Sequence, residues 1–156
     1  MLLTWLFTTV CHAQDIREKF GNWVVLNEQI PIVRTYALDF KTYLEFVCDP
    51  EFQPKSKLLV RTVWDTDELY YSGSFHFTHQ FDSNSSKILP WTVYADVGHI
   101  VLRDSAAAEF VQNAEKSYIL VIRGSLEELG EATFVLDGTQ QAVKYVLDQC
   151  RTDTSG

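Results

Sequence analysis

The sequence predicts a mainly β fold: an antiparallel β-sandwich or half-open barrel, with two helices late in the chain and the C-terminal helix packed on a sheet. Three observations predict it. Short segments of alternating apolar side chains recur along the chain, as strands with one buried face require. Aromatic residues make up 13% of the 156 residues, with ten Phe, seven Tyr and four Trp. Such side chains favour strands and fill the space between sheet faces. Helical spacing of apolar residues occurs only twice, in Asp104–Ser117 and from Thr139 onward. An apolar content of 46% suits one compact domain, and no repeat or linker divides the chain.

The elements follow in order. Met1 to Ala13 carry no acidic or basic side chain, Leu2 to Val10 are mostly apolar, and Cys11-His12-Ala13 fits a cut after Ala13. Residues 1–13 are therefore expected to be a signal peptide, too short to span a bilayer. A lipid-anchored Cys11 would want Gly or Ala before it, where Val10 stands. Residues 14–150 form one β-rich domain and 151–156 a disordered tail. Gln14–Phe20 is polar and mixed, so it reads as a short helical turn or a loose N-terminus. Gly21–Asn27 reads as the first strand, and Pro31 marks an edge or loop. Arg34–Phe40 alternates Tyr36, Leu38 and Phe40 against Thr35, Ala37 and Asp39. In Lys41–Asp49, Cys48 shares a face with Leu44 and Phe46, the expected core face.

Two prolines make Pro50–Ser56 a loop, followed by a strand at Lys57–Trp64 and an acidic turn at Trp64–Gly73. Ser74–Asp82 sets Phe75, Phe77, His79 and Phe81 against His76, Thr78, Gln80 and Asp82. Ile88–Arg103 reads as two strands joined at Asp96-Val97-Gly98. Asp104 or Ser105 can cap the first helix, whose inner side is Phe110, Val111 and Ala114. Strands follow at Ser117–Gly124 and Ala132–Gly138. The closing helix, with Thr139 as its cap, aligns Ala142, Val143, Val146, Leu147 and Cys150 in one stripe.

Removal of residues 1–13 leaves two cysteines, Cys48 and Cys150. An exported chain with two cysteines is expected to pair them, two buried free thiols being the alternative. Zinc would have too few ligands. A net charge of −8 excludes the basic stripe that nucleic acids need and disfavours anionic lipid.

Motifs for chemistry are sparse. His76 and His79 stand three apart, and a strand puts metal ligands on one face only at a spacing of two. His99 has no evident partner. Asp65, Asp67 and Glu68 are too closely spaced for a calcium cage and read as a solvated hairpin tip. Neither a Gly-x-Ser-x-Gly elbow nor a Gly-rich phosphate loop is present. No cofactor, metal or catalytic residue is expected. Tyr70, Tyr71, Phe75, Phe77, Phe81 and Trp91 read mainly as core, with a partner-binding patch as the alternative.

The set LEFVCD, FTHQFD, Trp91 in its strand, YILVIRG and the ending ATFVLDGTQQAVKYVLDQC resembles the small exported domains of the type VI secretion-associated TagO-like (VasI-type) family. Phe134, Leu136, Gly138, Ala142, Val143, Val146 and Cys150 match that family's ending. The chain is also broadly similar to invasion-associated locus B proteins in size, export and β content. The resemblance implies a periplasmic accessory or binding domain with no catalytic residues to carry over. The expectation is thus a periplasmic or secreted, non-catalytic domain that binds an envelope or secretion-system protein and does not insert stably in a membrane. The alternative is an inhibitor or immunity-type protein that blocks a toxin or hydrolase through Asp65, Asp67, Glu68, Tyr70 and Tyr71.

Overall fold

A computed structural model of the chain describes residues 16–26, 30–48, 58–64, 71–124 and 129–152. Among them are ten strands and two helices. The strands are β1 (Ile16–Phe20), β2 (Trp23–Leu26), β3 (Ile32–Tyr36), β4 (Tyr43–Cys48), β5 (Leu58–Val63), β6 (Gly73–Phe81), β7 (Lys87–Tyr94), β8 (His99–Leu102), β9 (Ile119–Arg123) and β10 (Glu131–Val135). The helices are α1 (Asp104–Ala114) and α2 (Thr139–Thr152).

All ten strands form one antiparallel sheet in the order β1-β2-β3-β4-β5-β8-β7-β6-β9-β10. β1 to β5 make a meander, β8 joins it beside β5, and β9 returns to the far side of β6. The sheet then curls until its ends approach. Ala37, just past β3, bridges Phe134 of β10, and the Leu38 N–H donates to the Thr133 carbonyl at 2.9 Å. This is the expected mainly β architecture, with α2 packed across β1 to β4 and α1 across β5.

The inner face carries the main core, including Trp23, Leu44, Phe46, Phe77, Trp91, Ile100, Leu120 and Phe134. Trp23 stacks on Phe46 with ring centroids 4.6 Å apart. Alternation in β6 runs as expected: Phe77, His79 and Phe81 are buried and His76 is exposed. The outer face of the β2-to-β8 half carries a smaller buried cluster of Leu26, Ile32, Val47, Leu59 and Val101.

Four sequence expectations need correction. Ile16–Phe20 is a strand, because its backbone pairs with β2 and Gly21, at φ +54°, permits the tight turn between them. β3 ends at Tyr36, and its inward residues are Val33, Thr35 and Ala37, whereas Tyr36, Leu38 and Phe40 are exposed. The N-cap of α1 is Arg103, with no side-chain cap bond, in place of Asp104 or Ser105. The closing helix also continues to Thr152, into the segment expected to be a tail. The leader and residues 153–156 lie outside the described residues.

α2 is fastened at both ends. At its start the Thr139 hydroxyl donates to the Leu136 carbonyl (2.6 Å) and accepts from the Trp23 indole N–H (2.9 Å), all buried. Gly138 adopts φ +86°, and a Cβ there would stand 2.2 Å from the Phe20 carbonyl oxygen. At the other end Cys150 is bonded to Cys48, with Cα atoms 5.8 Å apart across 102 positions of sequence. Between these points Ala142, Val143 and Val146 face the core.

Two outcomes are expected. Cys150→Ser lowers unfolding free energy in urea by about 2–5 kcal/mol, because a loop of about 100 residues is released in the unfolded chain. Gly138→Ala costs at least about 2 kcal/mol, since a positive φ and a backbone clash act together. Circular dichroism during urea titration checks both.

Candidate functional site

The tip of the β3–β4 hairpin is a braced loop that exposes apolar side chains. Ala37 N–H donates to the Thr42 carbonyl at 2.8 Å, closing the loop, and Phe40 N–H donates to the Ala37 carbonyl at 2.9 Å. Asp39 braces it from within: its carboxylate accepts from the Lys41 N–H (2.9 Å), the Thr42 N–H (3.0 Å) and the Thr42 hydroxyl (3.1 Å). Burial pushes the Asp39 carboxyl up, but these hydrogen bonds outweigh it and hold the group below the usual carboxylate range. The result is a stiff loop that turns its apolar side chains outward. Phe40 is 81% exposed and Leu38 62% exposed.

Phe40 also occupies the left-handed region, at φ +59°. That conformation costs a residue with a Cβ about 1–2 kcal/mol. An exposed Phe recovers little of this by packing. A rigid loop carrying an outward aromatic residue is what a protein-binding anchor requires, because little side-chain or loop entropy remains to be lost on docking.

Beside the tip lies an ion ladder on the outer face. Arg34, Glu45 and Arg61 sit opposite one another on β3, β4 and β5. Glu45 is fully buried, contacted by Arg34 Nη2 at 2.6 Å and by Arg61 Nε. The Arg34 guanidinium lies 3.9 Å over the Tyr43 ring. Removing one member of such a triad strands buried charge, so the ladder stiffens the base of the hairpin. Sequence reasoning missed it because the three residues are far apart along the chain. The available signal was a single acid, Glu45, on an otherwise uncharged outer face of its strand.

Of the expected loop residues, Asp65, Asp67, Glu68 and Tyr70 lie outside the described residues, and Tyr71 is 77% exposed. Phe77, Phe81 and Trp91 belong to the core, and Phe75 is packed at its margin. His76 and His79 point to opposite faces, as their spacing requires. Among the described residues, no group of three His, Cys, Asp or Glu is placed to hold a metal ion. No helix among them is long and apolar enough to cross a membrane.

His79 is buried, with 2% of its surface exposed, against Phe81 and Phe110. It forms the floor of a small hollow of about 310 Å³ rimmed by Asn84, Ser85, Lys87 and Asn113. Among the described residues its Nδ1 has no hydrogen-bond partner. Burial and then the Lys87 charge hold its pKa below the ordinary value, with Glu109 opposing weakly. His99 is also held low, by burial and then by Arg61.

The fold and these surfaces define a class: a small, disulfide-bridged, mainly β domain with an exposed hairpin tip. Among solved structures, the crystal structure of invasion associated protein B from Bartonella henselae aligns with a TM-score of 0.55. The alignment covers 85% of this chain and 96% of that one, at 8% sequence identity. The likeness is one of fold. It agrees with the broad similarity to invasion-associated locus B proteins and does not bear on the TagO-like resemblance. No family model matches the sequence, and no curated protein matches it.

The histidines yield a pH prediction. With its folded pKa below the unfolded value of about 6.5, His79 takes up a proton more readily in the unfolded chain. Its contribution to stability is therefore complete above about pH 6.5 and declines as pH falls from there towards the folded pKa. His79→Leu should flatten the loss of urea midpoint between neutral and mildly acidic pH, leaving the share due to His99. An unchanged pH slope in the variant would contradict the assignment.

Proposed function

We propose that this chain is an exported domain of the bacterial cell envelope that acts by holding another protein at its β3–β4 tip and carries out no chemistry of its own. The observation that carries this reading is Phe40, left-handed, braced by Asp39 and turned into solvent. Strain of about 1–2 kcal/mol at an exposed aromatic residue is a cost to folding, and binding is the use that accounts for it. The Cys48–Cys150 bond supports an oxidising compartment, periplasmic or extracellular. The fold likeness to invasion associated protein B is compatible with an envelope setting. A component of a secretion apparatus is the partner that the TagO-like ending of the sequence favours. The inhibitor reading keeps one supporting observation, the exposure of Tyr71, which follows the acidic stretch of the sequence.

The test places a photo-crosslinking amino acid at position 40 and irradiates cells of the native host. A discrete protein adduct is expected at position 40 and not at position 141, on the exposed side of α2. In parallel, Phe40→Gly should lose partner capture while its melting temperature stays level or rises, because glycine relieves the left-handed strain. Absence of an adduct, or capture that survives Phe40→Gly, would overturn the reading.

A further inference from the structure

The hollow over His79 lies between the β6–β7 hairpin and α1, and the residues that build it fall within the continuous described stretch 71–124. Its volume is about 310 Å³, with His79 and Phe81 at the floor and Asn84, Ser85, Lys87 and Asn113 at the rim. His79 is 2% exposed, and among the described residues its Nδ1 has no hydrogen-bond partner. A buried ring nitrogen without a partner is a cost to folding, and here it belongs to a side chain that lines a hollow. The rim is held from three elements. In the turn after β6 the Asp82 carboxylate accepts the Tyr118 and Ile119 N–H groups at 2.9 and 2.8 Å, and the Asn84 N–H donates to the Phe81 carbonyl at 3.0 Å. Asn84 and Ser85 therefore sit on a fastened turn. On α1 the Asn113 side-chain amide donates to the Glu109 carbonyl at 2.9 Å. Lys87, on β7, forms an ion pair with the Glu109 carboxylate.

We propose that this hollow binds a single pyranose ring of a neutral sugar. Three physical arguments select that ligand. The first is hydrogen-bond chemistry. The Asn84 and Asn113 amides and the Ser85 hydroxyl can each both donate and accept, and so can the hydroxyls of a sugar. Burial, and then the Lys87 charge, keep the imidazole uncharged at neutral pH, so it offers one donor and one acceptor. A hydroxyl suits it whichever nitrogen carries the proton. The second is charge. Glu109 balances Lys87, and Asn113 stands in the last turn of α1, where the helix dipole is negative and disfavours an anion. The third is shape. The Phe81 ring and the imidazole, 5.5 Å apart and edge to face, give the floor apolar surface for the C–H face of a sugar ring. The volume stands at the lower end of the range for small-molecule sites, about 300–1,000 Å³, which suits one ring in place of an oligomer.

The hollow and the β3–β4 tip share no residue, so each can fail alone. The probes are the methyl glycosides of glucose, galactose and mannose, together with N-acetylglucosamine. Acetate and inorganic phosphate are the anionic comparators. NMR of the histidine imidazole signals follows each titration. At least one sugar is expected to shift the His79 signals saturably, with a Kd on the order of 1–10 mM. The signals of His76, exposed on the opposite face of β6, should stay in place. Sugar affinity should change less than about twofold when salt is raised to about 0.5 M, because no charge is bound. Asn113→Ala should weaken binding at least about tenfold, and Phe40→Gly should leave it unchanged. Four results would each overturn the proposal: no saturable His79 shift with any of the sugars, equal shifts at His76, tighter binding of acetate or phosphate, or affinity unchanged by Asn113→Ala. The wild-type titration decides the matter even if a variant fails to fold.

Discussion

The Cys48–Cys150 bond ties the fourth strand to the last helix across 102 positions of sequence. With the helix end held there, the start of α2 is fixed by Trp23, Thr139 and the close backbone approach at Gly138. A helix fastened at both ends lies as a strap over β1 to β4 and presses Val143 and Val146 into the core. It also brings the first hairpin against the end of β10, where the Asn22 N–H donates to the Asp137 carbonyl at 3.0 Å. The curled sheet is held closed largely by this strap, because only one isolated bridge, Ala37 to Phe134, links β10 directly to the strand region beyond β3 among the described residues.

That constraint explains where strain is tolerated. A core of stacked and edge-on rings, among them Trp23 on Phe46 and Phe110 against Phe81 and Trp91, makes the interior rigid. A rigid scaffold can hold a short loop in an unfavourable conformation. The tip uses this at Phe40. Asp82 uses it differently: at φ +49° its carboxylate accepts the Tyr118 and Ile119 N–H groups at 2.9 and 2.8 Å, so the turn after β6 fastens the start of β9. In one case the left-handed residue gains internal bonds, and in the other it projects an aromatic ring outward.

The pattern of legibility follows from the range of the forces. Alternation in β6 and the helical stripe of α2 were readable because burial on one face acts residue by residue along a local period. The β1 strand was not readable: Ile16–Phe20 lacks a clear alternation, and it becomes a strand only by pairing with β2. Tyr36, Leu38 and Phe40 show the reverse error, since a period of two continued in the sequence after the strand itself had ended. The Glu45 ladder was invisible because Arg34 and Arg61 meet Glu45 only through cross-strand register. The same holds for the hollow between α1 and α2, whose two walls are elements separated by two strands in the chain.

The sequence by itself determined the fold class, the late position of both helices and the two cysteines available for a bond, since these depend on local periodicity and composition. Tertiary structure decided which surfaces face outward. Register set Arg34 and Arg61 on either side of Glu45, sheet curling brought the hairpin tip to β10, and the strap over β1 to β4 left a gap beside α1. Those outcomes depend on contacts between residues distant in the chain, and a local pattern carries no information about which distant segment will be its neighbour.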